Sequence, residues 1–319
     1  MNPYRQQKLK KNLALRARII QVVRRFFNDN GYLEVETPIR IPAPAPEAHI
    51  DAVESGDRFL QTSPELCMKR LLAAGIPRIF QICRCFRQGE RGRLHLPEMT
   101  LLEWYRANSN YLDLMDECEH LINTVARING LKEDILIYQG KEIKLTPPWP
   151  RISVSEAFEK LGSTPLNAAL EGGRFDDIMA EKIEPNLAQS RPVFLYDYPA
   201  CRAALARLKP QDLRFAERFE LYIGGLEICN AFGELTDPAE QHQVPLGRQH
   251  RQQAAQQEDA VTCVDHRLAP EAVRERADQH LARREAQEEG RDDHLRVVRP
   301  RHLKVLPDHV QRGQHHVGR

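Results

Sequence analysis

Every aromatic side chain of this 319-residue chain, 21 in all, lies in its first 240 residues. Residues 241–319 contain no Phe, Trp, Tyr or Ile, yet hold nine of the twelve histidines, thirteen arginines, eleven glutamines and a single lysine. A stretch so poor in large apolar groups removes too little surface from water to offset the entropy of ordering it. The folding unit is therefore expected in residues 1–240, where 32 basic side chains meet 33 acidic ones. Two readings of residues 241–319 stand open: a disordered extension, with an acidic partner as its ligand, or codons read in a shifted frame. The second is favoured. The change follows directly on what looks like the start of a core helix, and Arg/His/Gln-rich text suits shifted codons.

A formal net charge of +1 gives no whole-chain reason to expect nucleic-acid or membrane binding. No apolar run approaches the roughly 18 residues that cross a bilayer. Met1 to Lys11 is basic and polar, without the apolar centre of a signal peptide. A cytoplasmic location is expected. The seven cysteines include no CxxC pair, which argues against a zinc site or a disulfide framework. Cys83 and Cys85 are expected side by side on one face of a strand.

Apolar residues from Leu13 to Phe27 recur at helical spacing, and Gly31 is placed to end that helix. Leu33 to Thr37 alternates like a strand that Pro38 stops. Residues 42–47 read as a stiff extended connector. Phe59 to Thr62 reads as a short strand, followed by a helix with Ser63 as its N-cap and Pro64 in its first turn, closing at Gly75. Arg78–Phe86 and Pro97–Tyr105 read as strands of an antiparallel hairpin around an arginine-rich loop. Leu112–Val125 reads as a helix. Val193–Tyr196, Arg218–Ile223 and Leu226–Phe232 read as strands, the last two turning at Gly224-Gly225. The sum is an α+β fold, a mainly antiparallel sheet packed by helices.

Three groups of residues carry candidate chemistry. Arg87, Arg91, Arg93 and His95 lie in or beside one loop, and guanidinium forks suit phosphate oxygens; the competing reading is a solvated basic loop. Glu227 and Glu234, with Asn230 between them, offer oxygen ligands for magnesium. Seven residues apart, the two acids fall on opposite faces of a regular strand, so a bend at Gly233 is expected to reunite them; two unrelated surface glutamates are the alternative. Thr62, Ser63, Pro64 and Glu65 with Glu103 and Tyr105 offer acids and a phenol to a substrate with two ammonium groups. Against this, Glu65 in a first helical turn suits the helix dipole, and Tyr105 suits a core.

These segments, in this order, resemble class II aminoacyl-tRNA synthetases of the lysyl branch. FFNDNGYLEVETPI is similar to the first motif, a helix and strand at the dimer interface. QTSPELCMKRLLAAGIPRIFQICRCFRQGERGRLHLPEMTLLEWY is similar to the second motif and the helix before it. LYIGGLEICNAFGELTD is similar to the segment that holds the magnesium-binding glutamates. Only about a dozen residues precede the first-motif helix, so the β-barrel that reads a tRNA anticodon is not expected. Within the branch, the wording SPE…HLPEMTLLEWYR resembles the elongation factor P–lysine ligase family. The resemblance implies a class II synthetase-like catalytic domain over residues 1–240. It implies ATP and magnesium, lysine or (R)-β-lysine as substrate, elongation factor P as acceptor, and a homodimer. It also implies roles: Arg87 as the catalytic contact to the α-phosphate; Gln88, Gly89, Glu90, His95, Met99, Glu227 and Ile228 around ATP; Ser63, Pro64, Glu65, Glu103, Tyr105, Asn230 and Glu234 around the amino acid; Glu227 and Glu234 on magnesium.

The sequence departs from the family pattern in four places. Arg87 is followed by Gln88 and Gly89, with Glu90 one place late for the usual Arg-x-Glu. Met99 stands where an aromatic usually stacks on adenine, and Leu96 where many relatives carry asparagine. The third motif, of the form G-x-G-x-D-R, has no match in residues 241–319; Val264-Asp265-His266-Arg267 lacks the preceding glycines. A sheet short of one central element, with impaired adenylate formation and marginal folding, is expected from that gap. Two other readings remain: a lysyl-tRNA-synthetase paralogue or fragment, and a non-catalytic dimeric binding module.

Overall fold

In the computed structural model, residues 3–45, 50–92, 94–128, 131, 134–237, 241, 297–301 and 303–304 are described. Helix α1 (Pro3–Asp29) covers the expected helix and begins ten residues earlier. It buries Val22, Val23, Phe26 and Phe27, and Gly31 leaves it at φ +76°, where glycine meets no Cβ penalty. Only Leu33–Glu34 of the next expected strand joins the sheet, as β1. Helix α2 (Glu65–Ala73) follows, capped by Pro64 without a side-chain bond to the helix end. Ser63 is thus not the N-cap. Pro64 begins the helix one residue later than expected, although Ser63 Oγ still accepts the Glu65 N–H at 3.1 Å.

Strands β2 (Arg78–Phe86) and β3 (Glu98–Ala107) form the expected hairpin. Helix α3 (Tyr111–Ile128) comes next, then β4 (Arg151–Ser153), β5 (Val193–Pro199), β6 (Asp212–Ile223) and β7 (Leu226–Gly233). Residues 154–186 hold a run of short helical segments that the sequence did not announce. The chain also supplies β8 (Val297–Arg301). The sheet runs β1-β2-β3-β8-β7-β6-β5-β4, with Leu303–Lys304 also on β3 and Leu208–Lys209 on β6. β1–β2 and β5–β4 are parallel, and the other pairings are antiparallel. The expected gap in mid-sheet is therefore filled in the backbone: β8, from the region expected to contribute no core, lies between β3 and β7. The remainder of residues 242–319 lies outside the described residues, and with it Cys263 and the segment at 264–267.

Period-2 alternation sorts the sheet into two faces. Phe80, Leu102 and Trp104 of the hairpin share one core with Phe219, Leu221, Cys229 and Ala231 of β6 and β7, packed by Phe26, Phe27, Leu114, Met115 and Leu121 of α1 and α3. Glu117 of α3 pins this layer, accepting from Trp104 Nε1 at 2.9 Å and from the Tyr32 hydroxyl at 2.8 Å. On the opposite face, Met68 of α2 covers Ile79 and Tyr105 near one edge. The segments from Val154 to Ala188 cover Leu195, Tyr198 and Tyr222 near the other. Between these two covers runs the strip that carries the polar candidates.

Candidate active site

Register fixes where each candidate stands along that strip. Val298 pairs with Arg106 on one side and Gly233 on the other, so β7 ends level with Tyr105 and starts level with the Met99 end of β3. Asn230, paired with Arg301, is level with Glu103. Arg87, just beyond the Phe86–Glu98 pair, stands at the Met99 end. The face thus has one end with Arg87, Met99 and Glu227, a middle with Glu103 and Asn230, and a far end with Tyr105 and Glu234.

The far end is a cluster of buried acids with specific donors. Glu65, Glu103 and Glu234 are all at most 2 % exposed. Glu103 accepts from Ser63 Oγ at 2.7 Å and from the Tyr105 hydroxyl at 2.6 Å. Lys69, one turn after Glu65 on α2, reaches Glu65 Oε1 at 3.0 Å and Glu234 Oε2 at 2.7 Å. Buried carboxylates persist only when paired or hydrogen-bonded, and this set meets that condition. The structure brings Ser63, Glu65, Glu103, Tyr105 and Glu234 together as expected, with Pro64 shaping the entry to α2. Tyr105 is both of the things weighed from sequence: fully buried in a small apolar cluster and bonded through its hydroxyl to an acid. Ser63 also borders a cavity of about 50 Å³ with Ile41, Ala43, Leu66, Cys67 and Arg70; Arg87, Glu227 and Glu234 do not line it.

At the other end, Arg87 is 6 % exposed, with Nη1 3.4 Å from Glu90 Oε1. The late glutamate therefore still reaches the arginine, across a turn in which Gly89 adopts φ +75°. Gln88, Gly89, Arg91 and His95 stand exposed, and Arg93 lies outside the described residues. The basic cluster expected from sequence thus reduces to one buried arginine and an exposed loop. Cys83 and Cys85 stand side by side as expected, their Sγ atoms 3.7 Å apart. The Cys83 contact and then burial push the Cys85 thiol well above its ordinary range, which leaves it a poor nucleophile.

Two expectations about Glu227 and Glu234 need correcting. Between Leu221–Cys229 and Tyr222–Glu227 the register of β7 slips by one residue, a β-bulge that adds Ile228 to the strand. This bulge, not a bend at Gly233, puts Glu227 on the same face as Asn230 and Glu234. The same pairing keeps β7 extended from Leu226 to Gly233, so the two acids stand roughly 20 Å apart along it. One magnesium ion cannot bridge that span. Glu234 belongs to the acid cluster with Lys69, and Glu227 is the carboxylate at the Arg87 end.

The middle of the face contains residues that the sequence reading missed. Arg218 of β6 gives Nη2 to Glu220 Oε1 at 2.7 Å, Nη1 to the Arg202 carbonyl at 2.7 Å, and Nε to Asn230 Oδ1 at 3.3 Å. Its guanidinium lies 4.3 Å from the Tyr198 ring centroid, and the Tyr222 hydroxyl donates to Glu220 Oε2 at 2.6 Å. Burial works against charge on Arg218, yet Glu220, Tyr198 and Glu227 outweigh it and hold the group above its ordinary value. Burial, then Glu220, pushes the nearby Glu184 carboxyl up. The alternation Arg218-x-Glu220-x-Tyr222 was the available signal for this group, and the i,i+4 spacing from Glu65 was the signal for Lys69.

Comparison with known proteins identifies the family. The family model for class II tRNA synthetases (D, K and N) matches residues 1–267. A protein of Hamiltonella defensa named elongation factor P–(R)-β-lysine ligase is 39% identical over 264 residues, covering 76% of this chain and 79% of that protein. Proteins of the same name from Pectobacterium atrosepticum and Edwardsiella ictaluri are each 40% identical over 249 and 248 residues, covering 73% of this chain and 76% of theirs. By sequence, fold and the order of its motifs, the chain belongs to the elongation factor P–(R)-β-lysine ligase family of class II tRNA synthetases.

Proposed function

We propose that the chain is an ATP-dependent ligase that activates lysine or (R)-β-lysine and transfers it to a lysine side chain of elongation factor P. The carrying observation is one sheet face with a buried guanidinium at one end and three buried acids at the other. In this reading the amino-acid carboxylate attacks the α-phosphorus of ATP, the bond to pyrophosphate breaks, and the acceptor amine later displaces AMP. Arg87 offsets charge that develops on the α-phosphate. The acid cluster of Glu65, Glu103 and Glu234, tied by Lys69, Ser63 and Tyr105, receives the ammonium groups. The distance between the ends of the face serves to align the reacting carboxylate with phosphorus. In the same reading magnesium accompanies ATP, Glu227 at the Arg87 end of the face is taken as its carboxylate, and no step is assigned to a two-glutamate site.

The working molecule is read as a cytoplasmic homodimer. Leu13, Leu33 and Ile39 of the region resembling the first motif are exposed, as large apolar groups at an interface are. Among the described residues no helix is long and apolar enough to cross a membrane.

The test supplies the chain with ATP, labelled lysine or (R)-β-lysine, and either elongation factor P or tRNA. Label on the protein acceptor supports the proposal. Label on tRNA alone overturns it in favour of a tRNA-charging paralogue, and ATP binding without turnover of either acceptor favours the binding module.

A further inference from the structure

Cys83 and Cys85 stand in a row that the proposed reaction leaves unused. Gln81, Cys83 and Cys85 alternate along β2, with Arg87 just beyond its end, so this row lies on the face that carries the acid cluster and the guanidinium. Across the hairpin Gln81 pairs with Glu103, Cys83 with Leu101 and Cys85 with Met99. Directly opposite residues of an antiparallel pair share a face, so the Met99 thioether joins the two thiols there. Glu103 and Arg87 both act on the Cys85 thiol, which puts the pair between the two ends of the site. Cys85 is buried and Cys83 half-buried, so one of the two sulfurs is open to what enters the face.

The spacing and the softness of these atoms select a class of ligand. The two Sγ atoms lie 3.7 Å apart. Metal–thiolate bonds of about 2.3 Å set two sulfurs roughly 3.8–4.0 Å apart at tetrahedral to trigonal angles, so one ion fits both with little movement. Two thiolates and a thioether are the soft ligands that favour Cu(I). Zinc takes four ligands, and among the described residues no group of three or more His, Cys, Asp or Glu side chains forms. Cys118 and Cys229 make the contrast: their Sγ atoms are 3.9 Å apart, but both are fully buried in the apolar core, away from the face.

We propose that Cys83, Cys85 and Met99 form a binding site for a soft monovalent cation of the Cu(I) type, and that its occupation excludes ATP from the Arg87 end of the face. On binding, two sulfur–metal bonds form, the two S–H bonds break and both protons go to solvent, with no change of oxidation state; a coordinated thiol loses its proton outright. Met99 adds a sulfur lone pair. The metal site goes beyond the ligase reading, and only the exclusion of ATP rests on that reading, which puts Met99 and Arg87 beside the nucleotide.

The test titrates the full reduced chain with Cu(I) under argon against a chromophoric Cu(I) chelator, using wild type, Cys83→Ser, Met99→Leu and Cys201→Ser. Cys83→Ser is expected to lose more than the roughly ten- to hundredfold that an outer partner of a metal site is worth, and Met99→Leu about tenfold. Cys201→Ser removes an exposed thiol elsewhere and is expected to match wild type. Copper-edge X-ray absorption of the wild-type complex, which needs no variant to fold, is expected to count three sulfur neighbours. Nitrogen neighbours would assign the ion to the nine histidines of residues 241–319 and overturn the site. Unchanged affinity in Cys83→Ser or Met99→Leu, or an equal loss in Cys201→Ser, overturns the three-sulfur set. Calorimetry of ATP with the chain, copper-free and copper-loaded, tests the exclusion: binding roughly tenfold or more weaker in the loaded chain supports it, and equal binding overturns it. A copper-free chain that does not bind ATP overturns the ligase reading, while the copper titration still decides the metal site.

Discussion

Gly224 and Gly225 turn the chain from β6 into β7 with φ of +61° and +76°, a conformation that costs a side-chain-bearing residue energy. A Cβ on Gly224 would also lie 2.8 Å from Ile143 Cδ1 and 2.9 Å from Tyr138 Cδ1. Gly224→Ala is therefore expected to lower stability by about 1–3 kcal/mol, read as a shift in the urea midpoint. An unchanged midpoint would show that Tyr138 and Ile143 yield freely. Glu184 offers a second residue-level prediction. Its carboxyl is pushed up by burial and by Glu220, so the folded state holds this proton more tightly than the unfolded chain. That contribution is present at low pH and is lost as pH rises through the folded value. Glu184→Gln removes the loss. Its melting temperature should match wild type near about pH 4 and exceed it near about pH 7; a gap of constant size at both would mean that titration of Glu184 is not the cause.

At the scale of elements, β8 is the strand that joins the two halves of the sheet. It pairs with β3 through Val297 and Val298 and with β7 through four residues from Val298 to Arg301. Truncation after residue 240 would leave two facing strand edges with unpaired backbone groups in the middle of the sheet. Loss of a cooperative unfolding transition and a shift to aggregates in size exclusion are expected. A monodisperse, cooperatively melting truncation would show that β3 and β7 do not need this strand. The bulge at Ile228 belongs to the same scale. A strand without it would aim Glu227 at Cys229 and Ala231 in the core, and the Arg87 end of the face would lose its carboxylate.

For the whole molecule, the missing G-x-G-x-D-R segment bears on turnover more than on identity. Removing one preorganised charge-stabilising donor costs on the order of a hundredfold or more in rate. Lysine-dependent pyrophosphate exchange by this chain is expected to fall that far below a family member that carries the segment. Exchange at a comparable rate would show that another cation serves in its place. Assembly is a separate prediction. If Leu13 and Leu33 lie in a dimer interface, light scattering should report a dimer for wild type and a monomer for Leu13→Glu with Leu33→Glu. A wild-type monomer would remove the homodimer from the proposal.

The sequence alone determined what depends on neighbours along the chain. Helical and alternating periodicity placed α1, α3, the β2–β3 hairpin and the β6–β7 turn, because burial of one face and the φ demands of glycine are written locally. Side-by-side placement of Cys83 and Cys85, and of Glu103 with Tyr105, followed from the same two-residue repeat. Tertiary structure decided what no local pattern encodes. The slip at Ile228 exists only in the pairing of β7 with β6, so the common face of Glu227, Asn230 and Glu234 could not be read from their spacing. The roughly 20 Å between the two glutamates follows from the strand staying extended. The bridge from Lys69 to Glu234 and the fork of Arg218 on Asn230 join residues on different elements, where distance in sequence says nothing about distance in space.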